Sequence, residues 1–283
     1  MKTIRLIYPD HVSGGLDTYY LGARLMAQIL PDNPAHEQVY VNVLPPDGRE
    51  KPVSDGIYAK DEVLGALQDA YRKLDEAQPD RVITVGGNCM VSLVPFDYLH
   101  AKYGELGIIW IDAHPDVSVP ANGYPNAHAM VLGSLLGLKD APFSAYLRAP
   151  AFSAASLLYV GLQGLHDYQR RALDTLHVKY TVQTESLVST EELKAFAGRF
   201  KRVLVHFDID VLDPKLFHAT YFANPELTGD GSGGGRMTLE ELASILPAIE
   251  ESTEIAGFTV AEYLPFEARR LQQLFSKLQL FKA

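Results

Sequence analysis

The chain predicts an α/β fold built on a mainly parallel sheet covered by helices on both faces, and three observations carry that reading. Apolar runs such as Arg81-Val82-Ile83-Thr84-Val85 and Gly107-Ile108-Ile109-Trp110-Ile111 lack the polar alternation of a half-exposed strand, as expected where both faces are buried. Such runs alternate along the chain with segments of helical periodicity, the rhythm of a parallel sheet wrapped by helices. Two of them lead directly into clusters of Asp and His, and open α/β sheets bind ligands at the carboxyl ends of their strands.

Taken in order, Ile4 to Tyr8 reads as the first strand and Gly14-Gly15 as a turn, and Thr18 to Leu30 is an amphipathic helix stopped by Pro31. Within Ala59 to Ala77, the residues Val63, Leu64, Leu67, Ala70, Tyr71 and Leu74 recur at helical spacing. The buried strand Arg81 to Val85 follows and ends in Gly86-Gly87-Asn88-Cys89. After the central strand come a helix over His128 to Gly137, a strand at Leu157 to Gly161 and a helix near Asp167 to Leu176. Ser189-Thr190-Glu191-Glu192 and Thr238-Leu239-Glu240-Glu241 are capping boxes that open two further helices, the hydroxyl and the carboxylate each accepting from the other residue's amide. The strand Ile255 to Ala261 and the helix Pro265 to Phe281 complete the series. The glycine-rich stretch Gly229 to Gly235 is followed by Arg236-Met237 rather than Gly-Lys-Ser/Thr, which predicts a flexible loop near a site mouth and not a phosphate cradle. No repeat or linker divides the chain, so residues 1–283 are expected to form a single domain.

At 283 residues and 47% hydrophobic content the chain can bury a full core. A formal net charge of −10 without any Lys/Arg block argues against a nucleic-acid backbone or an anionic membrane as partner, and tolerates cationic substrates and metal ions. No stretch approaches the length of a membrane span and the N-terminus lacks a signal-type apolar core, so a soluble, cytoplasmic protein is expected. The single cysteine, Cys89, excludes an intramolecular disulfide and fits a reducing compartment.

The chemistry concentrates at two strand ends. In Ile-Asp-Ala-His-Pro-Asp, the residues Asp112, His114 and Asp116 occupy alternate positions, and on an extended segment they point the same way. In Asp-Ile-Asp-Val-Leu-Asp-Pro, Asp208 and Asp210 repeat that spacing before Asp213 and Pro214. Hard oxygen donors with an imidazole suit a divalent ion such as Mn²⁺ or Zn²⁺. Each acid alone could instead cap a helix or a turn, and for Asp213 before Pro214 that reading stands equally. For the others, several like charges brought together without a cation would be costly.

These two motifs resemble those of the ureohydrolase superfamily of arginases, agmatinases and formiminoglutamases. The order of segments fits as well: Gly86-Gly87-Asn88-Cys89, the Asp-Ala-His-x-Asp segment, His128, the Asp-x-Asp-x-x-Asp-Pro segment, and a late strand ending in Glu262. The resemblance spans about residues 4 to 265. It implies a three-layer α/β/α sandwich on a mainly parallel sheet of about eight strands, assembly into trimers or hexamers, and two Mn²⁺ ions bridged by a hydroxide. By matching position, Asp112 and Asp208 would bridge both ions, Asp116 would complete one site, and His114 with Asp210 the other. His128 would shuttle protons and Glu262 would pair with a substrate guanidinium. Ser118 and Asn126 match substrate-contacting positions.

The sequence departs from the family in two places. The metal-ligand His of the Gly-Gly segment is Cys89, which either ligates as a thiolate, favouring Zn²⁺, or fills space as a buried thiol. This leaves one or two ions open. The acids with which arginases contact the head group of arginine are missing after Gly161-Leu162-Gln163-Gly164-Leu165-His166. The expected activity is therefore metal-dependent hydrolysis of a C–N bond in a guanidino or amidino compound other than arginine. The alternatives are a single-metal, deacetylase-like amidohydrolase and a catalytically weakened member serving in binding or assembly.

Overall fold

The computed structural model describes residues 1–226 and 233–282. Its elements in chain order are β1 (Thr3–Tyr8), α1 (Thr18–Ile29), β2 (Glu37–Tyr40), β3 (Val53–Ser54), β4 (Ile57–Tyr58), α2 (Lys60–Ala77), β5 (Arg81–Gly86), α3 (Leu93–Tyr103) and β6 (Gly107–Ile111). There follow α4 (Val131–Leu135), β7 (Leu157–Val160), α5 (Asp167–Thr175), α6 (Thr190–Ala197), β8 (Arg202–Asp208), α7 (Leu239–Ser252), β9 (Glu254–Ala261) and α8 (Ala268–Phe275).

Among the described residues, seven strands form one sheet in the order β2-β1-β5-β9-β8-β6-β7, one fewer than the family's usual eight, and every pairing in it is parallel. β3 and β4 form a separate antiparallel pair. Successive strand residues enter opposite layers, as the pleat requires. Ile108 and Trp110 join one apolar cluster with residues of α2, α3, α4 and α5, while Ile109 and Ile111 join another with residues of α1, α6, α7 and α8. The result is the expected α/β/α sandwich. Both capping boxes are formed: the Ser189 and Thr238 hydroxyls accept from the Glu192 and Glu241 amides, and each glutamate accepts in return.

Several elements depart from the expected pattern. α3 escapes periodicity because Leu93, Val94, Pro95, Phe96, Asp97 and Leu99 are all buried, which leaves little polar contrast around the axis, while Pro95 falls in the first turn, where the missing N–H costs nothing. β2 is a short edge strand with only Val39 buried. The helix expected from His128 begins at Val131, because residues 127–130 form a 3₁₀ turn in which the His128 amide donates to the Ser13 carbonyl (3.1 Å). The last helix begins three residues late, since Glu267 adopts a left-handed φ of 57°, and it ends at Phe275 before a 3₁₀ turn whose Gln279 and Leu280 amides donate to Glu250. Gly14-Gly15 turns as expected, with Gly15 at φ 65°. Of the glycine-rich stretch, residues 229–232 lie outside the described residues.

The ends of β1 and β5 approach closely where Gly87 follows β5. A Cβ built there would stand 1.7 Å from the Asp10 carbonyl oxygen, a backbone atom that cannot swing away. Gly87→Ala is expected to lower stability by about 2–3 kcal/mol through this overpacking, read as a drop of several degrees in melting temperature. A variant that melts with the parent protein would refute the close approach.

Candidate active site

The sheet order delivers the site. Four neighbouring strands, β5, β9, β8 and β6, end side by side, and at or just beyond their carboxyl ends stand Cys89, Glu262, Asp208 and Asp112. The register pairs Ile111 with Phe207 and Asp208 with Ala261, so Asp112 and Asp208 stand side by side, with Glu262 one residue beyond the end of β9 and Cys89 in the 3₁₀ turn that follows β5. Backbone strain helps aim two of the acids: Asp116 and Glu262 have left-handed φ values of 48° and 63°, unusual outside glycine and held here by their surroundings.

The donors converge. Ligand-type atoms of Asp112, His114 and Asp210 lie within 4.8 Å of one another, as do those of Asp208, Asp210 and Glu262, of Cys89, His128 and Glu262, and of Cys89, Asp112, His206 and Asp208. Asp112 accepts from the Trp110 indole N–H (3.0 Å) and from the His114 amide (2.7 Å), and Asp208 accepts from the Asp210 amide (2.7 Å). His114 Nδ1 faces Asp210 at 3.0 Å. The Cys89 thiol donates to Asp208 at 2.9 Å. Asp213 stands apart, accepting from the Lys215 amide as a turn residue.

Charge crowding decides the protonation. Burial, followed by the neighbouring carboxylates, pushes Asp112 and Asp208 well above the usual carboxylate range. Burial lifts Asp116 to about 7 against the pull of His128 and His114. The Cys89 thiol is pushed up by burial and by Asp116, Asp208 and Glu262. Burial opposes charge on His114, but Asp210 and Asp112 outweigh it and raise the imidazole well above its ordinary value; Asp210 is correspondingly held low. Among the described residues, His114 Nε2 and Asp116 Oδ2 are buried without a hydrogen-bond partner. Crowded acids and orphaned donor atoms of this kind fit a divalent cation.

The metal-free protein should therefore lose stability as pH rises. A group whose folded pKa lies above its unfolded value stabilises the fold in its protonated form, and that contribution disappears as pH climbs through the folded value. Asp116 loses its contribution as pH climbs from the ordinary carboxylate range to about 7, and His114 and His128, both raised, lose theirs above pH 6.5. We expect the melting temperature in chelator to fall between pH 6.5 and 8, with a loss of about 1–3 kcal/mol in stability, given that a tenfold change in proton affinity is worth about 1.36 kcal/mol. Addition of Mn²⁺ should flatten the slope. A rise over that window would contradict the charge crowding.

Beside this cluster, Glu262 accepts from the Tyr19 hydroxyl (2.5 Å) and pairs with His128 Nδ1 (2.9 Å), while His128 Nε2 meets the Tyr124 hydroxyl (2.9 Å). Burial disfavours the imidazolium, yet Tyr124, Glu262 and Asp116 raise the His128 pKa well above normal. A cavity of about 580 Å³ opens over these groups. It receives Ser118, whose hydroxyl lies 3.4 Å from that of Tyr168, and Asn126, which donates to the Gly14 carbonyl (3.3 Å). Tyr221 and Phe222 form part of its wall, and no Lys or Arg lines it among the described residues.

Every candidate residue except Asp213 is thus brought to one place: Asp112 and Asp208 fully buried beneath the cavity, the remainder at its floor and wall. Sequence reasoning missed Tyr19, Tyr124, Tyr168 and His206. For His206 a signal existed, since it stands two residues before Asp208 on the same strand and so shares its face.

The comparisons with known proteins agree with this architecture. The family model described as "Arginase family" matches residues 34–274. Human Arginase-1 is 31% identical over 180 residues, covering 59% of this chain and 53% of the relative. The chain thus spans about half the length of the curated relatives it matches. Among solved structures, Entamoeba histolytica arginase in complex with L-ornithine superposes with a TM-score of 0.78 at 16% identity, covering 98% of this chain and 97% of that one. Bacillus caldovelox arginase gives 0.74 at 19% identity, covering 99% and 100%. At such identities the likeness is one of fold.

Proposed function

The chain belongs to the arginase family, and from that premise we propose that it is a metal-dependent hydrolase cleaving a C–N bond of a cationic guanidino or amidino compound. The observation that carries the proposal is the convergence of Asp112, His114, Asp208 and Asp210, with Asp116 beside them on the floor of a cavity whose adjacent wall presents Glu262. These five residues would hold the cations, with Mn²⁺ the ion expected for a mainly oxygen donor set. When bound, the ions supply Lewis acidity and lower the pKa of a water toward neutrality.

The protein's own groups do the rest. Glu262, fixed by Tyr19 and His128, offers a carboxylate with geometry matched to a planar guanidinium. His128 holds a proton at Nδ1 against Glu262 Oε1, and its Nε2, facing Tyr124, is the position from which a proton reaches the leaving amine. The tyrosines and Phe222 exclude water and offer aromatic faces to a cation. The absence of Lys and Arg from the described lining favours substrates without a carboxylate, an agmatine-like amine over arginine. The buried, unpaired Cys89 supports a reducing, cytoplasmic setting, and the family resemblance supports a homo-oligomer as the working form.

Protein loaded with Mn²⁺ would be assayed for urea or ammonia release from agmatine, guanidinobutyrate, arginine, guanidine and formiminoglutamate. Turnover should be highest on the carboxylate-free amines. Silence on all of them with at least one ion bound per chain would count against the hydrolytic reading.

A further inference from the structure

We propose that His206 is a metal ligand in this chain, joining Cys89, Asp112 and Asp208 in a cation site suited to a borderline-soft ion such as Zn²⁺. The proposal rests on the reading that the acidic cluster holds divalent cations, and it adds to that cluster a residue outside the position-matched set.

His206 lies directly beside Trp110 across the β6–β8 pairing, one row below Asp112 and Asp208. Its ring stacks on the Trp110 indole, centroids 3.7 Å apart and planes 12° apart, which fixes the ring plane. The Ser92 hydroxyl occupies Nδ1 at 2.8 Å. The other nitrogen, Nε2, is fully buried, has no hydrogen-bond partner among the described residues, and lies 3.7 Å from Asp112 Oδ2. Ligand-type atoms of His206, Cys89, Asp112 and Asp208 all fall within 4.8 Å of one another.

A histidine serving only as packing would point its second nitrogen at a carbonyl or a hydroxyl. Here one nitrogen is held by a hydroxyl while the other is turned, unpaired, toward two carboxylates and a thiol. That is how a ligating histidine is arranged, its far nitrogen bonded so that the near one is set in place for the ion. A set of one thiol, one imidazole and two carboxylates also sets the preferred ion, because thiolate is softer than oxygen donors and Cys/His/Asp sets suit Zn²⁺. Binding converts the Cys89 thiol to a thiolate and releases its proton to solvent.

The test uses Co²⁺ as an optical stand-in for Zn²⁺. Metal-free protein titrated with Co²⁺ should develop a thiolate-to-cobalt charge-transfer band in the near ultraviolet that Cys89→Ser abolishes. His206→Gln should weaken Co²⁺ and Zn²⁺ binding at that site at least tenfold and shift the band, with folding checked by circular dichroism. As a measurement that leaves His206 untouched, the His114→Gln protein carrying one equivalent of Zn²⁺ should show one sulfur and one imidazole neighbour by X-ray absorption. An all-oxygen shell, or Co²⁺ affinity and spectrum unmoved by His206→Gln, would overturn the proposal while leaving the cation cluster standing. Less than one ion bound per chain, unaltered by Asp208→Ala, would instead defeat the underlying reading.

Discussion

Asp208→Asn is expected to abolish turnover while raising the melting temperature of the metal-free protein. The two effects have one origin. Asp208 is fully buried beside Asp112, Asp210 and Glu262, and among the described residues its only side-chain donor is the Cys89 thiol. With cations present, its carboxylate is the charge they need. Its removal should reduce kcat/KM at least about a thousandfold, or ~4 kcal/mol at 1.36 kcal/mol per tenfold. Without cations, the same carboxylate is held well above its ordinary pKa by burial and like charge. Asparagine keeps the shape and the acceptor for the Asp210 amide but cannot ionise. The chelated variant should therefore outlast the wild type by about 1–2 kcal/mol, the free energy of a roughly tenfold change in proton affinity, with the gap widening toward pH 8. Thermal melts with and without Mn²⁺ check it. A variant that is less stable in chelator, or still active when loaded, would refute the argument.

The second large effect is expected at Glu262. Glu262→Gln preserves length and leaves an acceptor for Tyr19, but removes the negative charge that pairs with His128 and would face a guanidinium. Removing a charge-assisted hydrogen bond from a buried site costs more than removing its neutral counterpart. We expect kcat/KM for a guanidino substrate to fall by about a hundredfold or more, ~2.7 kcal/mol, with a raised KM as part of the effect. Tyr19→Phe, which removes only the hydroxyl that orients Glu262, should cost about tenfold. Equal kinetics in Glu262→Gln and the parent enzyme would move the substrate cation elsewhere.

How much of this was legible in the sequence follows from what each residue reports. Asp112, His114, Asp116, Asp208 and Asp210 announce themselves because a buried strand fixes a period of two, and that period is visible in the chain. Strand order is not written locally: nothing near Glu262 says that β9 is inserted between β5 and β8. α3 was invisible for the opposite reason, since burial nearly all round removes the polar contrast that marks a helix. Tyr19 and Tyr124 reach the site from segments whose own patterns concern packing and turns, and only tertiary structure turns them toward Glu262 and His128. His206 sat on a legible face, two residues before Asp208 on the same strand.

The insertion of β9 has a consequence for how the protein comes into being. β9, the last of the described strands, enters the middle of the sheet, not the edge, so a chain whose synthesis has not reached β9 lacks Glu262 and leaves β5 and β8 without their shared neighbour. Separations of 119 residues between Cys89 and Asp208 and 173 between Cys89 and Glu262 must close before these groups meet. The ability to capture an ion should thus arise late and all at once, making ion uptake a natural readout of completed assembly.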